Sequence, residues 1–255
     1  MTLRATYLIS VLMDTDNSSK SALRSALELA KMVNGRVEAL YIKSPLKVVK
    51  QVNQLSAKRD LYEDSRHAKA TIEEVTRSMK EYTGLETSYL ISYGNVKSKV
   101  KEYFKESNPD ILIIGKAKYR ALNGLRGKPS ILIVGENDNL KPFKKLSIGI
   151  FCNSLSDINN PILRELTRKT TIPIRLFSIK KAQQEGTTEK KTDDETVSYV
   201  FSEGANALDG VSSYVERTKT RLFCIPKTKS AKFNFQSDER EQLLRKVNVP
   251  VLLMS

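Results

Sequence analysis

The chain has 255 residues, of which 40% are hydrophobic and 28% are charged, and its formal net charge is +14. This length allows one large domain or two small ones, each with a core of its own. The positive excess is divided equally between residues 1–140 and 141–255, which argues against a basic nucleic-acid-binding arm and indicates an evenly cationic surface. No apolar run approaches the roughly 18 residues that span a membrane.

The amino-terminal apolar run and the cysteines indicate the compartment. Tyr7–Met13 is short, and Asp14 and Asp16 follow it, where a signal peptide would carry small residues at its cleavage site. We therefore interpret the run as a strand. Two cysteines do not make a disulfide framework, so a cytoplasmic protein with reduced thiols is expected.

The first half alternates strand-like and helical patterns. The run Tyr7–Met13 predicts a buried strand. Residues 14–35 predict a helix, with Asp and Ser available as caps, Leu and Ala at helical spacing, and Asn-Gly at the end. The further predicted elements are a strand at 36–43, one or two helices within 46–83, a strand at 87–94, a helix at 96–107, and strands at 110–115 and 130–135. This alternation predicts a parallel sheet with helices on its faces.

The second half repeats these elements. The segment SYLISYG (Ser88–Gly94) returns as SYVFSEG (Ser198–Gly204). Three further pairs of segments align in the same order: Ile9–Asp14 with Ile148–Asn153, Glu28–Lys43 with Glu165–Lys180, and Val100–Lys118 with Val211–Lys229. Four matched blocks predict two copies of one domain, residues 1–138 and 139–255, joined at the polar segment Gly135–Lys145.

The residues of the first copy point to a known family. The segment VLMDTDNSSKSALRSALELAKMVNGRVEALYI (Val11–Ile42) resembles the first strand, Asp-containing turn, helix and second strand of the universal stress protein family. Gly94 and the segment NPDILIIG (Asn108–Gly115) also fit that family's pattern, and the second copy fits it more weakly. The resemblance implies an α/β fold of two tandem flavodoxin-like or Rossmann-like domains, each a five-stranded parallel sheet in the order 3-2-1-4-5 with helices on its faces. It also implies a pseudo-dimer paired through the last strands.

The family's phosphate loop is altered in this sequence. Many members bind ATP with a glycine-rich loop after the fourth strand, where glycines let backbone N–H groups approach the phosphates. Gly115 occupies the first glycine position, but Lys118 stands at the second. In the second copy Pro226 and Lys229 stand at these positions. We therefore expect that ordinary ATP binding is lost and that no cofactor is bound, with ATP or another adenine nucleotide as the alternative.

The resemblance also implies candidate ligand-binding residues. Asp14 matches the family's nucleoside-contacting Asp, and Ile42 matches the residue whose backbone meets the base; a cap of the first helix is the alternative role for Asp14. Ligands of open parallel sheets bind beyond the carboxyl ends of the strands. We expect Gly94 and Gly115 to lie at that edge as well.

Lysine pairs recur at the same edge of both copies. They are Lys116 with Lys118, and Lys227 with Lys229. Two ammonium groups suit a phosphate or another anionic small molecule. The alternative is that these are ordinary loop lysines in a chain with 43 basic residues.

Little in the composition indicates catalysis. His67 is the single histidine, so neither a zinc site nor a Ser–His–Asp triad is predicted, and no catalytic or metal-ligating residue is assigned. Cys152 and Cys224 are expected in neighbouring strands as small core residues, with a redox switch as the alternative. The tyrosines that recur at matched places are expected to pack in the cores.

The two copies lack different helices. The first has little sequence for a helix between strands four and five. In the second, the polar segment Lys181–Glu195, expected to be mobile, stands where the first copy has its insertion between strands two and three. Each copy should therefore leave one sheet face thinly covered, and exposed apolar sheet is costly. A protein partner or self-association through these faces is expected.

Together these observations predict a non-catalytic, cytoplasmic stress-response protein that acts as a binding scaffold or sensor. One alternative is a protein that binds ATP, AMP or a cyclic dinucleotide with its first copy. A small ATP-using α/β enzyme is a further alternative. Nucleic acid and membrane are not expected as partners.

Overall fold

The structure is a computed structural model that describes residues 7–13, 17–43, 83–122, 129–136, 145–152, 160–180, 188–193, 196–226 and 237–255, together with residues 65, 66, 69, 70, 72–74, 76, 77, 80, 81, 140 and 142. The chain divides into two compact units, Met1–Pro129 and Ser130–Ser255.

The first unit is a parallel sheet with helices. Its strands are β1 (Tyr7–Met13), β2 (Gly35–Lys43), β3 (Thr87–Tyr93) and β4 (Ile111–Gly115), and its helices are α1 (Asn17–Val33), α2 (Val96–Ser107) and α3 (Lys116–Ala121). The strands are parallel in the order β3-β2-β1-β4. Described residues between 65 and 83 are also helical. The predicted helix at 96–107 is confirmed.

Local chemistry accounts for the boundaries of these elements. Ala22, Ala26 and Ala30 of α1 are fully buried, and their small side chains let the helix lie close to the sheet. Helix α2 begins after Asn95, whose side chain accepts a hydrogen bond from the Ser98 amide at 3.1 Å. All five residues of β4 are buried, as expected for a strand of a parallel sheet with helices on its faces.

The second unit repeats this strand order with a fifth parallel strand and also contains two antiparallel strands. Its strands are β5 (Ser130–Val134), β6 (Ile148–Phe151), β7 (Ile174–Lys180), β8 (Thr188–Asp193), β9 (Thr196–Ser202), β10 (Leu222–Pro226) and β11 (Val251–Met254), and its helices are α4 (Pro161–Lys169), α5 (Ala207–Arg217) and α6 (Ser237–Lys246). Strands β9-β7-β6-β10-β11 are parallel neighbours. This is the order 3-2-1-4-5, so the predicted α/β fold is confirmed.

The two antiparallel strands, β5 and β8, lie at the two ends of these five parallel strands. Strand β5 pairs with β11, with Leu132 opposite Leu252. The last strands of the two sequence copies are thus partners, as the family resemblance implies. Strand β8 pairs with β9, and this corrects one expectation. Part of the polar segment predicted to be mobile is an edge strand, because the free edge of β9 offers backbone partners to any extended segment.

The core of the second unit is built on aromatic rings. Phe177 stacks on Tyr199 with centroids 5.3 Å apart and meets Phe223 edge-on at 5.5 Å. Gly149 of β6 lies beneath these rings. A Cβ at this glycine would lie 2.9 Å from the Thr220 methyl and 3.0 Å from the Phe177 ring. The rings therefore fill the space that a side chain at this position would need.

None of the helices that the structure describes is both long and apolar enough to cross a membrane.

Candidate functional site

The carboxyl ends of β2 and β3 lie side by side in the first unit. Ile42 is next to last in β2, is 7% exposed and pairs in register with Ser92. Gly94 follows β3 with a φ of +143°, and its amide donates a hydrogen bond to the Lys43 carbonyl at 2.9 Å. That φ is one that glycine adopts readily and other residues do not. The glycine thus turns the chain from β3 towards α2 at the strand edge.

The passage from β4 to α3 completes this edge. Gly115 ends β4 in an extended conformation, and α3 begins at Lys116 with no side-chain cap from Gly115. The Lys118 ammonium lies 3.5 Å from the Met13 carbonyl at the end of β1. The Lys118 side chain therefore reaches from α3 back to the carboxyl end of β1, the strand that pairs with β4, rather than away from the sheet.

Five of the predicted site residues are described, and they lie at one edge of the first unit. They are Ile42, Gly94, Gly115, Lys116 and Lys118. Asp14, Lys227 and Lys229 lie outside the described residues, so their assignment stays a prediction. Hydrogen bonds join Gly94 to the end of β2 and Lys118 to the end of β1.

A second polar cluster, which the sequence reasoning did not find, lies within the first unit. Ser10, Glu38 and Ser88 stand in register on three adjacent strands. The Tyr103 hydroxyl of α2 lies 2.6 Å from Ser10 Oγ and donates a short hydrogen bond to Glu38 Oε2. The Ser88 hydroxyl donates to Glu38 Oε1 at 3.1 Å. We call these four residues the Glu38 cluster.

Burial sets the protonation state of the tyrosine in this cluster. Tyr103 is 2% exposed. Its burial, followed by its hydrogen bond to the Glu38 carboxylate, raises the pKa of the phenol well above its ordinary value of about 10. The hydroxyl therefore stays protonated and acts as a donor at physiological pH. The chemistry is that of a satisfied polar contact between helix and sheet.

The second unit has aromatic packing at the matched place. Gly149 aligns with Ser10, and Tyr214 aligns with Tyr103. Tyr214 packs on Tyr199 and Phe201, each with a centroid distance of 5.5 Å. Glu38 was the residue from which the sequence could have predicted the cluster, because a partly buried carboxylate within the apolar strand RVEALYIK needs hydrogen-bond partners.

The two thiols are core residues. Cys152 is 2% exposed and Cys224 is fully buried. Burial and then the nearby Cys152 raise the pKa of the Cys224 thiol. His67 lies outside the described residues. Among those described, no group of three His, Cys, Asp or Glu side chains is suited to a metal ion.

Comparisons with known proteins agree with this architecture. The model of the universal stress protein family matches residues 8–134. A universal stress protein from Archaeoglobus fulgidus DSM 4304 has a TM-score of 0.71 and 13% identity, with 100% of this chain and 98% of that chain covered. A functionally unknown protein from Pseudomonas aeruginosa PAO1 has a TM-score of 0.61 and 12% identity, with 98% and 93% covered.

At these identities the solved structures establish the fold alone. A universal stress protein in complex with cAMP covers 52% of this chain, at 19% identity and a TM-score of 0.38, and 99% of its own chain is covered. No curated protein matches the sequence. The family resemblance noted in the sequence is confirmed by the family model. The chain belongs to the universal stress protein family.

Proposed function

We propose that this protein is a non-catalytic member of its family that acts as a binding scaffold or sensor and has lost ordinary ATP binding. The observation that carries the proposal is the position of Lys118, whose ammonium lies 3.5 Å from the Met13 carbonyl. A triphosphate loop requires bare backbone N–H groups at this turn.

The conformation of the turn supports the same conclusion. The chain passes from Gly115 directly into a helix whose first three residues include two lysines. No residue of α3 is glycine, so every position of this segment carries a side chain. Side chains at every position of this turn restrict the close approach of a phosphate chain to the backbone N–H groups, which glycines would leave open.

Thermal denaturation of the full chain with ATP, AMP and a cyclic dinucleotide tests the proposal. We expect ATP to produce no saturable rise in Tm, because a ligand stabilises only the state that binds it. Asp14→Ala is the variant for comparison, and Lys105→Ala, an exposed change on α2, is the matched control. Saturable stabilisation by ATP that is lost in Asp14→Ala and kept in Lys105→Ala would overturn the proposal.

The second candidate is an anionic small molecule, including an adenine nucleotide, bound by the first unit. It is favoured by the convergence of Lys116 and Lys118 with the ends of β1 and β4, since ammonium groups bind phosphate as point charges. Lys118→Met would abolish such binding and leave an uncharged side chain of similar length. A dissociation constant that is unchanged in this variant would remove Lys118 from the site.

A small ATP-using enzyme is the third candidate, and an ATP hydrolysis assay distinguishes it. The site contains lysines and backbone groups but, among the described residues, no pair of nucleophile and base. We expect no turnover above that of a denatured sample. Turnover that is lost in Lys118→Met would favour the enzyme over the scaffold.

A further inference from the structure

Strand β3 is the terminal strand of the first unit's sheet. It pairs with β2 on one side, and no strand that the structure describes pairs with its other side. Leu90, at the middle of its seven residues, is 40% exposed, and it is the one large apolar side chain that is exposed among the described residues. All seven residues, TSYLISY, are uncharged, although 28% of the chain is charged.

Uncovered edge strands are normally protected by charges, especially lysine, because an open edge pairs readily with other chains. The second unit shows this protection. The matched strand β9 is also uncharged (TVSYVFS), but it is covered by β8, whose sequence TEKKTD is mostly charged. The edge of β9 therefore has an antiparallel partner that the equivalent edge of β3 lacks in the described chain.

The hydrogen bonds of β3 show which backbone groups are available. The Val37 amide bonds to the Glu86 carbonyl, and the Gly94 amide bonds to the Lys43 carbonyl. Even-numbered residues of this stretch therefore direct their backbone groups towards β2. Because these groups alternate along a strand, Thr87, Tyr89, Ile91 and Tyr93 direct theirs outward.

We propose that two copies of this chain associate by antiparallel pairing of their β3 strands about a two-fold axis at Leu90. In this register Tyr89 lies opposite Ile91 of the second copy, and Thr87 lies opposite Tyr93 of the second copy. All of these residues have outward backbone groups, so they form hydrogen-bonded pairs. Leu90 faces its own equivalent in a non-hydrogen-bonded pair, where side chains approach most closely.

The charges at the strand ends favour the same register. Glu86 precedes β3 with a side chain that is 66% exposed, and it makes only a weak, exposed ion pair with Arg36 at 3.9 Å. Lys97 lies in the first turn of α2, just beyond the other end. Antiparallel pairing brings the acidic end of one strand to the basic end of the other. Isologous contacts of this kind close as dimers. Since one seven-residue strand per copy is a small interface, we expect dissociation constants on the order of micromolar.

Sedimentation velocity of the full chain, with charged residues substituted at Leu90, tests the proposed register. Leu90→Lys and Leu90→Glu each place like charges opposite one another at the axis, and each should weaken dimerisation at least about tenfold. An equal mixture of the two variants places opposite charges there and should restore the dimer. Ser213→Lys on α5, an exposed position of the second unit, is the control and should remain dimeric.

Disulfide trapping tests the same axis independently of affinity. Leu90→Cys should form an intermolecular disulfide under mild oxidation, because the paired Cβ atoms are close; the two native thiols are buried. Ser88→Cys should not cross-link with itself, but it should cross-link with Ser92→Cys in a mixture. Monomeric wild-type protein, or a dimer that neither the charge variants nor these cysteine pairs affect, would overturn the proposal. This inference does not depend on which ligand the protein binds.

Discussion

The Tyr103 hydroxyl connects helix α2 to strands β1 and β2 by contacting Ser10 and Glu38 at once. The contact joins residues 93 positions apart in the case of Ser10. It fixes the helix against the sheet by a directional interaction, where the second unit uses aromatic packing. Loss of this one hydroxyl would therefore remove two contacts between the helix and the sheet.

Tyr103→Phe should destabilise the protein by about 1–3 kcal/mol, because it leaves buried or partly buried oxygens of Ser10 and Glu38 without their partner. Urea denaturation measures the loss. Tyr89→Phe is the matched control, since its hydroxyl bonds to the exposed Glu73, and it should cost less than about 0.5 kcal/mol. Equal losses in the two variants would contradict a special role for the Glu38 cluster.

The raised pKa of Tyr103 predicts an alkaline loss of stability. The folded protein keeps the phenol proton, while the unfolded chain releases it above its ordinary pKa of about 10. The stabilisation of the folded protein that comes from the buried phenol is complete below that pH and declines as the pH rises beyond it. Urea denaturation from pH 8 upward, which begins about two units below the ordinary tyrosine pKa, measures the free energy of unfolding. This free energy should fall less steeply with rising pH in Tyr103→Phe than in wild type. Parallel curves would contradict the assignment.

The two thiols should be unreactive in the folded protein. Cys224 is fully buried and its thiol pKa is raised by burial, and thiolate is the reactive form. A thiol reagent at mildly alkaline pH should label the cysteines only as fast as the protein unfolds. Labelling of the Cys224→Ser variant, which keeps only the Cys152 thiol, through a urea series serves as the control for partial opening. Rapid labelling of native protein would instead favour the redox alternative.

Asn160 should contribute to the stability of the second unit through two separable contacts. Its carbonyl oxygen accepts from the Leu163 amide at 3.0 Å as the cap of α4, and its amide donates to Ser130 Oγ of β5 at 2.8 Å. Asn160→Ala should cost about 1–2 kcal/mol. Asn160→Asp keeps the cap acceptor but loses the donor, so it should cost less. Urea midpoints rank the three proteins, and an Asp variant as unstable as the Ala variant would show that the cap contributes little.

Gly149→Ala should destabilise the second unit by about 1–3 kcal/mol through overpacking. The new methyl would press on Thr220 and on the rings of Phe177 and Phe223. Gly204→Ala is the control, because no atom lies within 4 Å of a Cβ there. Thermal denaturation compares the two variants. A Gly149→Ala protein with wild-type Tm would mean that the aromatic core can shift to make room.

Local sequence patterns were sufficient for every strand except β8 and for most helices. Buried strands such as β4 consist of consecutive apolar residues, and parallel sheets require this on both faces. The internal repeat indicated that one architecture occurs twice, and the strand order followed from the family resemblance. The position of Lys118 beyond the end of β4 was also predicted, because it depends on spacing along one segment of chain.

Only the tertiary structure decided the contacts between distant segments. The sequence indicated a polar, mobile segment where β8 forms, since its side chains are polar and the pairing uses only backbone groups of β9. It also grouped Tyr103 with Tyr214 as core residues, although one lies in a hydrogen-bonded cluster and the other in an aromatic one. The partners of a side chain depend on which strands become neighbours, and periodicity along the chain carries no information about that.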